Sequence, residues 1–131
     1  MVKRPRETKI KTWVETVLVV AVMSVGAAPA VAHSFLVDAT PSSKDHVAAA
    51  PKAIKLRFGG GVEPSYSTIT VEDAKGKIVA EGATGKPDTP RELVLDTPKL
   101  SGAGRHVVRY RVLSTDGHIA QGAYEFFVDG Q

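Results

Sequence analysis

His106-Val107-Val108-Arg109-Tyr110-Arg111-Val112-Leu113-Ser114 sets Val108, Tyr110 and Val112 at alternate positions, with Arg109 and Arg111 between them. A period of two sends successive side chains to opposite faces of an extended chain, so this run predicts a strand with one buried and one wet face. Ile54, Leu56 and Phe58 alternate with Lys55 and Arg57 in the same manner. Working outward, short extended runs over 35–39, 54–58, 67–72, 78–81, 92–96, 106–114 and 122–128 give about seven strands. The punctuation agrees: Thr40-Pro41 ends the first run, Asp73-Ala74-Lys75-Gly76 suits a tight hairpin, and Gly102-Ala103-Gly104 separates the fifth run from the sixth. Residues 82–90 are polar, carry Pro87 and Pro90, and read as an exposed loop. No internal repeat and no helical period interrupts the pattern. About seven short strands in about 100 residues predict an all-β domain, an immunoglobulin-like antiparallel β-sandwich with Greek key connections. That architecture hosts many unrelated functions, so the function must be read from particular residues.

Residues 1–32 read differently from the rest. Basic Lys3, Arg4, Arg6, Lys9 and Lys11 precede an apolar run from Val17 to Val25, followed by the small-residue stretch Ala27-Ala28-Pro29-Ala30-Val31-Ala32. This is the pattern of a cleaved export signal. The apolar run is much shorter than the roughly 20 residues that cross a bilayer. Ala30 and Ala32 meet the small-x-small rule and set the cut after Ala32, so the expected mature chain, residues 33–131, begins at His33. Its location is periplasmic or otherwise extracytoplasmic.

Cleavage leaves 99 of the 131 residues, enough for one domain with its own core. The leader carries five of the 17 Lys+Arg and two of the 14 Asp+Glu, so twelve of each remain and the mature domain has no net excess of basic charge. The charge balance points away from nucleic acid as a partner. Cysteine is absent, and both methionines, Met1 and Met23, lie in the leader. A metal site in the mature domain is therefore built from nitrogen and oxygen donors, which disfavours a dedicated copper(I) site.

An N-terminal histidine gives a metal a free α-amine and an imidazole nitrogen on one residue, close enough to chelate a single ion. With reference pKa values of about 7.7–8.0 and about 6.5, both groups give up their protons to a metal near neutral pH. Copper(II) favours tetragonal nitrogen and oxygen donors and binds them more tightly than other common divalent first-row ions. Asp116-Gly117-His118 is the second element. If the segment is extended, positions two apart share a face and a carboxylate converges with an imidazole; alternatively Asp-Gly is an ordinary turn dipeptide joining two strands.

In this order and context the residues resemble the CopC family of exported copper-binding proteins. The resemblance runs through His33-Ser34-Phe35-Leu36, Thr40-Pro41, Leu56-Arg57-Phe58, Tyr110-Arg111-Val112, the 114–118 run, Gly122 and Phe126-Phe127-Val128. It implies a β-sandwich and one copper(II) ion held by His33, Asp116 and His118. Some relatives place an acidic residue two positions after the residue corresponding to Phe58, where this chain has Gly60; Glu63, three residues further on, is a possible additional ligand. Some relatives also carry a methionine-rich loop for copper(I), which the mature chain lacks. His46 reads as a solvated loop residue and His106 as packed in a strand or facing water.

The leading expectation is a monomeric, non-enzymatic carrier or buffer of copper(II) in copper homeostasis or resistance. The implied partner is a copper-transporting inner-membrane protein of the CopD type. Two other classes remain. A copper oxygenase also uses an N-terminal histidine chelate, but it needs an open coordination position and a broad aromatic surface, and this domain has few aromatics. A metal-free immunoglobulin-like interaction module is the third.

Overall fold

The computed structural model describes Lys3 and residues 35–130; Lys3 apart, the expected leader and His33 lie outside the described residues. Among the described residues nine strands run in the order β1 (Leu36–Thr40), β2 (His46–Val47), β3 (Ala53–Phe58), β4 (Thr68–Glu72), β5 (Ile78–Gly82), β6 (Thr84–Lys86), β7 (Thr89–Asp96), β8 (Gly104–Leu113) and β9 (Ile119–Val128), with one 3₁₀ turn at Pro64–Tyr66. One sheet has the order β1-β3-β7-β6 and the other β2-β9-β8-β4-β5. Every pairing is antiparallel except β2 with β9. The fold is the expected β-sandwich.

The alternation read from the sequence is what closes it. Ile54, Leu56 and Phe58 of β3, Leu93 and Leu95 of β7, Ile69 and Val71 of β4, Val108 and Val112 of β8, and Phe126 and Val128 of β9 form one buried cluster. Lys55 and Arg57 are exposed between their buried neighbours. Phe58 and Tyr110 meet edge to face across the sheets, with ring centroids 5.6 Å apart. The turn expected at 73–76 forms as predicted: Asp73 Oδ1 accepts the Lys75 and Lys77 N–H groups, each at 2.9 Å.

Two elements depart from the sequence expectation. Residues 82–90 are not wholly a loop, because β6 pairs with β7 through Thr84↔Val94 and Lys86↔Thr89. All three β6 residues are exposed at a sheet edge, so no buried face exists to leave an apolar period in the sequence. His46 lies on β2, a two-residue strand beside Phe127 and Val128, rather than in a loop. His106 is the packed alternative: it is buried, it stacks on Phe126 at 5.3 Å, and its Nδ1 lies 3.1 Å from the Gly104 carbonyl.

The long β8–β9 hairpin positions the residues of interest. Its register runs without a break from Gly104↔Val128 to Leu113↔Ile119, leaving residues 114–118 as a five-residue connection at one end of the sandwich.

Neighbouring residues on β3 test the assignment of faces. Leu56→Ala empties a fully buried site and is expected to cost about 2–5 kcal/mol, lowering the melting temperature by on the order of 10 °C or more. Arg57→Ala removes only a half-exposed pair with Asp38 at 3.8 Å and should stay within about 0.5 kcal/mol of wild type. Equal losses in thermal denaturation would contradict the two-faced strand.

Candidate metal centre

The connection between β8 and β9 is a tight turn, so of the two readings of Asp-Gly the turn holds. Ser114 N–H donates to the His118 carbonyl at 2.8 Å and Gly117 N–H to the Ser114 carbonyl at 2.9 Å. Gly117 sits at φ 88°, a conformation that favours glycine. The carboxylate and the imidazole nevertheless converge, by a local route: Asp116 Oδ1 accepts the backbone N–H of His118 at 3.1 Å, the two-residue Asx geometry. The same oxygen lies 3.2 Å from His118 Nδ1, with the His118 and Asp116 side chains 55% and 37% exposed. The turn therefore brings the pair together rather than competing with it.

The electrostatics keep Asp116 charged. A hydrogen bond from the Ser114 side chain, then the His118 N–H and the His118 side chain, hold its carboxyl down to about 2 against an ordinary value of 3.8. An ionised oxygen donor beside an imidazole suits a divalent ion. Two donors at right angles on one ion, with bonds of roughly 2 Å, lie about 2.9 Å apart, close to the observed nitrogen–oxygen separation. Among the described residues no group of three or more His, Asp or Glu side chains gathers into a site, so Glu63 does not join Asp116 and His118.

Phe35, Leu36, Tyr110, His118, Ile119, Ala120 and Gln121 line an open groove of about 370 Å3. The start of the chain's first strand and the imidazole of the hairpin turn thus share one concavity, although 83 residues separate Phe35 from His118. Burial raises the Tyr110 phenol above its usual range, so this wall of the groove is neutral. Phe35 and Ile119 expose 64% and 53% of their surface beside it.

The other histidines lie elsewhere. His46 pairs with Phe127, eight residues along β9 from Ile119, roughly 26 Å at the rise of a strand. It stacks on Phe127 at 4.8 Å, and its Nδ1 lies 2.9 Å from Asp129 Oδ1. Contacts of Gly59, Gly61 and Thr115 around the turn were not anticipated, although three glycines directly after a strand signal a close backbone approach. Gly59 N–H donates to the Phe35 carbonyl at 2.9 Å, and Thr115 N–H to the Gly61 carbonyl at 3.0 Å.

A family model described as the CopC domain matches residues 36–129. The chain belongs to the CopC domain family. Protein YobA of Escherichia coli K12 is 32% identical over 98 residues, which cover 74% of this chain and 79% of that protein. Among solved structures, CopC from Methylosinus trichosporium OB3b shares 66% identity with a TM-score of 0.72, covering 74% of this chain and 94% of its own. PcoC, described as a methionine-rich copper resistance protein from Escherichia coli, shares 29% identity with a TM-score of 0.63, covering 75% and 100%. The CopC match takes in every strand and the Asp116–His118 turn.

The depressed Asp116 carboxyl can be measured directly. Its ionised form stabilises the turn fully above the ordinary carboxylate value, and that contribution is lost as pH falls toward about 2. Carboxyl carbon shifts of the metal-free protein should show a midpoint near 2; a midpoint near 4 would mean that the turn contacts do not persist in solution.

Proposed function

We propose that this protein is an exported carrier or buffer of copper(II), acting in copper homeostasis or resistance. In this reading the export signal is removed after Ala32, and residues 33–131 are a monomeric periplasmic domain. One copper(II) ion is cargo, held by the α-amine and imidazole of His33 together with Asp116 and His118. The observation that carries the reading is the groove shared by Phe35 and His118. His33 precedes Phe35 by two residues, and two residues span at most about 7 Å, so in this reading an N-terminus there is within chain reach of the groove. Asp116, ionised and adjacent to His118, supplies the hard oxygen donor.

Family membership supports copper as the cargo, since the similar PcoC is described as a copper resistance protein. The methionine-rich description of PcoC does not carry over: residues 33–131 contain neither methionine nor cysteine. Soft copper(I) ligation has no sulfur to draw on in that span, whereas nitrogen and oxygen donors fit copper(II). The domain turns nothing over in this reading; it lends copper by ligand exchange to a copper-transporting inner-membrane protein of the CopD type.

Copper(II) titration against a competing chelator, followed by electron paramagnetic resonance, tests the proposal on protein that begins at His33. One ion should bind per chain. His118→Ala and Asp116→Ala should each weaken binding at least about tenfold, or about 1.4 kcal/mol. An alanine added before His33 should cost more, because it converts the chelating amine to an amide. Equal affinity in the Ala-extended protein would sink the His33 assignment.

A further inference from the structure

The segment after β3 does more than leave the sheet. Gly59 N–H donates to the Phe35 carbonyl, Thr115 N–H donates to the Gly61 carbonyl, Val62 bridges Ser114, and Glu63 N–H donates to the Leu113 carbonyl at 2.8 Å. Within five residues the chain is hydrogen-bonded first to the start of the N-terminal strand and then to the hairpin that carries Asp116 and His118. These two partners belong to opposite sheets.

The approach leaves no room for a Cβ at Gly61 and little at Gly59. A Cβ on Gly59 would lie 3.1 Å from both Cε1 and Cζ of the Phe35 ring. A Cβ on Gly61 would lie 2.9 Å from Thr115 Oγ1 and 3.0 Å from Thr115 Cγ2. Neither glycine has a left-handed φ, so the requirement is clearance rather than backbone freedom. Thr115 cannot simply turn aside. Its two heavy γ atoms fill two of three staggered positions, and both facing positions are occupied, so any other rotamer leaves at least one heavy atom at the contact. An added methyl at Gly61 therefore displaces the hairpin turn.

We infer that Gly59 and Gly61 are positioning residues of the metal centre: they clasp the N-terminal strand to the Asp116–His118 turn so that donors from both sheets reach one ion. This rests on the proposed copper site. It gives the triglycine segment the task of holding ligands rather than supplying one. Chelation demands that donors meet within a fraction of an ångström, so a displacement harmless to the core is costly at the metal.

The test uses the chain beginning at His33, with Gly61→Ala, Thr115→Ala and the double variant. Gly61→Ala should melt cooperatively within a few degrees of wild type yet bind copper(II) at least about tenfold more weakly, with altered hyperfine splitting. In the metal-free protein its Thr115 amide should exchange faster while core amides do not. Thr115→Ala removes both γ atoms, so Gly61→Ala/Thr115→Ala should regain the affinity and spectrum of Thr115→Ala alone. Gly59→Ala, with its milder 3.1 Å contacts, should show a smaller loss in the same direction. Val71→Ala, a core variant, should lower the melting temperature without changing the spectrum.

Wild-type affinity and spectrum in Gly61→Ala, or failure of Thr115→Ala to rescue it, would overturn the clasp while leaving the copper site standing. Absence of copper binding by the wild-type chain would instead overturn the site, and the clasp with it. If neither glycine variant folds, the glycines serve the fold alone and the positioning role is wrong.

Discussion

Burial of the Ile54-Leu56-Phe58 face of β3 in one core with the Val108 and Val112 face of β8 is the constraint on which the rest depends. A strand paired one residue out of register would turn its arginines into the core, at a cost far above that of any surface contact. Phe58 against Tyr110 fixes the position along the strands, since both rings lie near the same end of the sandwich. With that register set, β8 ends at Leu113 and β9 begins at Ile119, and the five residues between them have one place to be.

From that placement the candidate centre follows by short local steps. The turn 114–118 closes on its own backbone hydrogen bonds and one from Thr115 to Gly61, and the carboxylate of Asp116 is oriented by the His118 amide. The register that brings the turn to this end of the domain sends His46 and His106 to the other, paired with Phe127 and Phe126 respectively. Three described histidines thus divide into one that flanks the groove and two that serve packing or a surface pair. The triglycine exit of β3 is hydrogen-bonded to Phe35 and to Thr115, so among the described residues it links the start of β1 to the turn that carries His118.

The β-sandwich was legible because alternation survives wherever one face of a strand is buried, as in β3, β4 and β8. It was not legible at β6, whose three residues are all exposed, nor at β2, which is too short to show a period. For the centre, the residue types of Asp116 and His118 were readable but their geometry was not. Extension and turn were both open from the sequence, and the turn brings the two together through a side-chain-to-backbone bond that no periodicity encodes. The glycines at 59 and 61 carried a visible signal, a run of three, without indicating which two segments they admit. The contact of Gly61 with Thr115 spans 54 positions and exists only once the two sheets have closed.

The central claim is that processing at Ala32 creates a copper ligand from a residue that is otherwise an ordinary internal histidine. Native mass spectrometry of the protein recovered from the export compartment, with and without added copper(II), tests both parts together. The account predicts a chain of residues 33–131 carrying one copper ion, and loss of that ion from any coexisting species with a longer N-terminus. A chain that begins elsewhere yet retains one tightly held copper would contradict it.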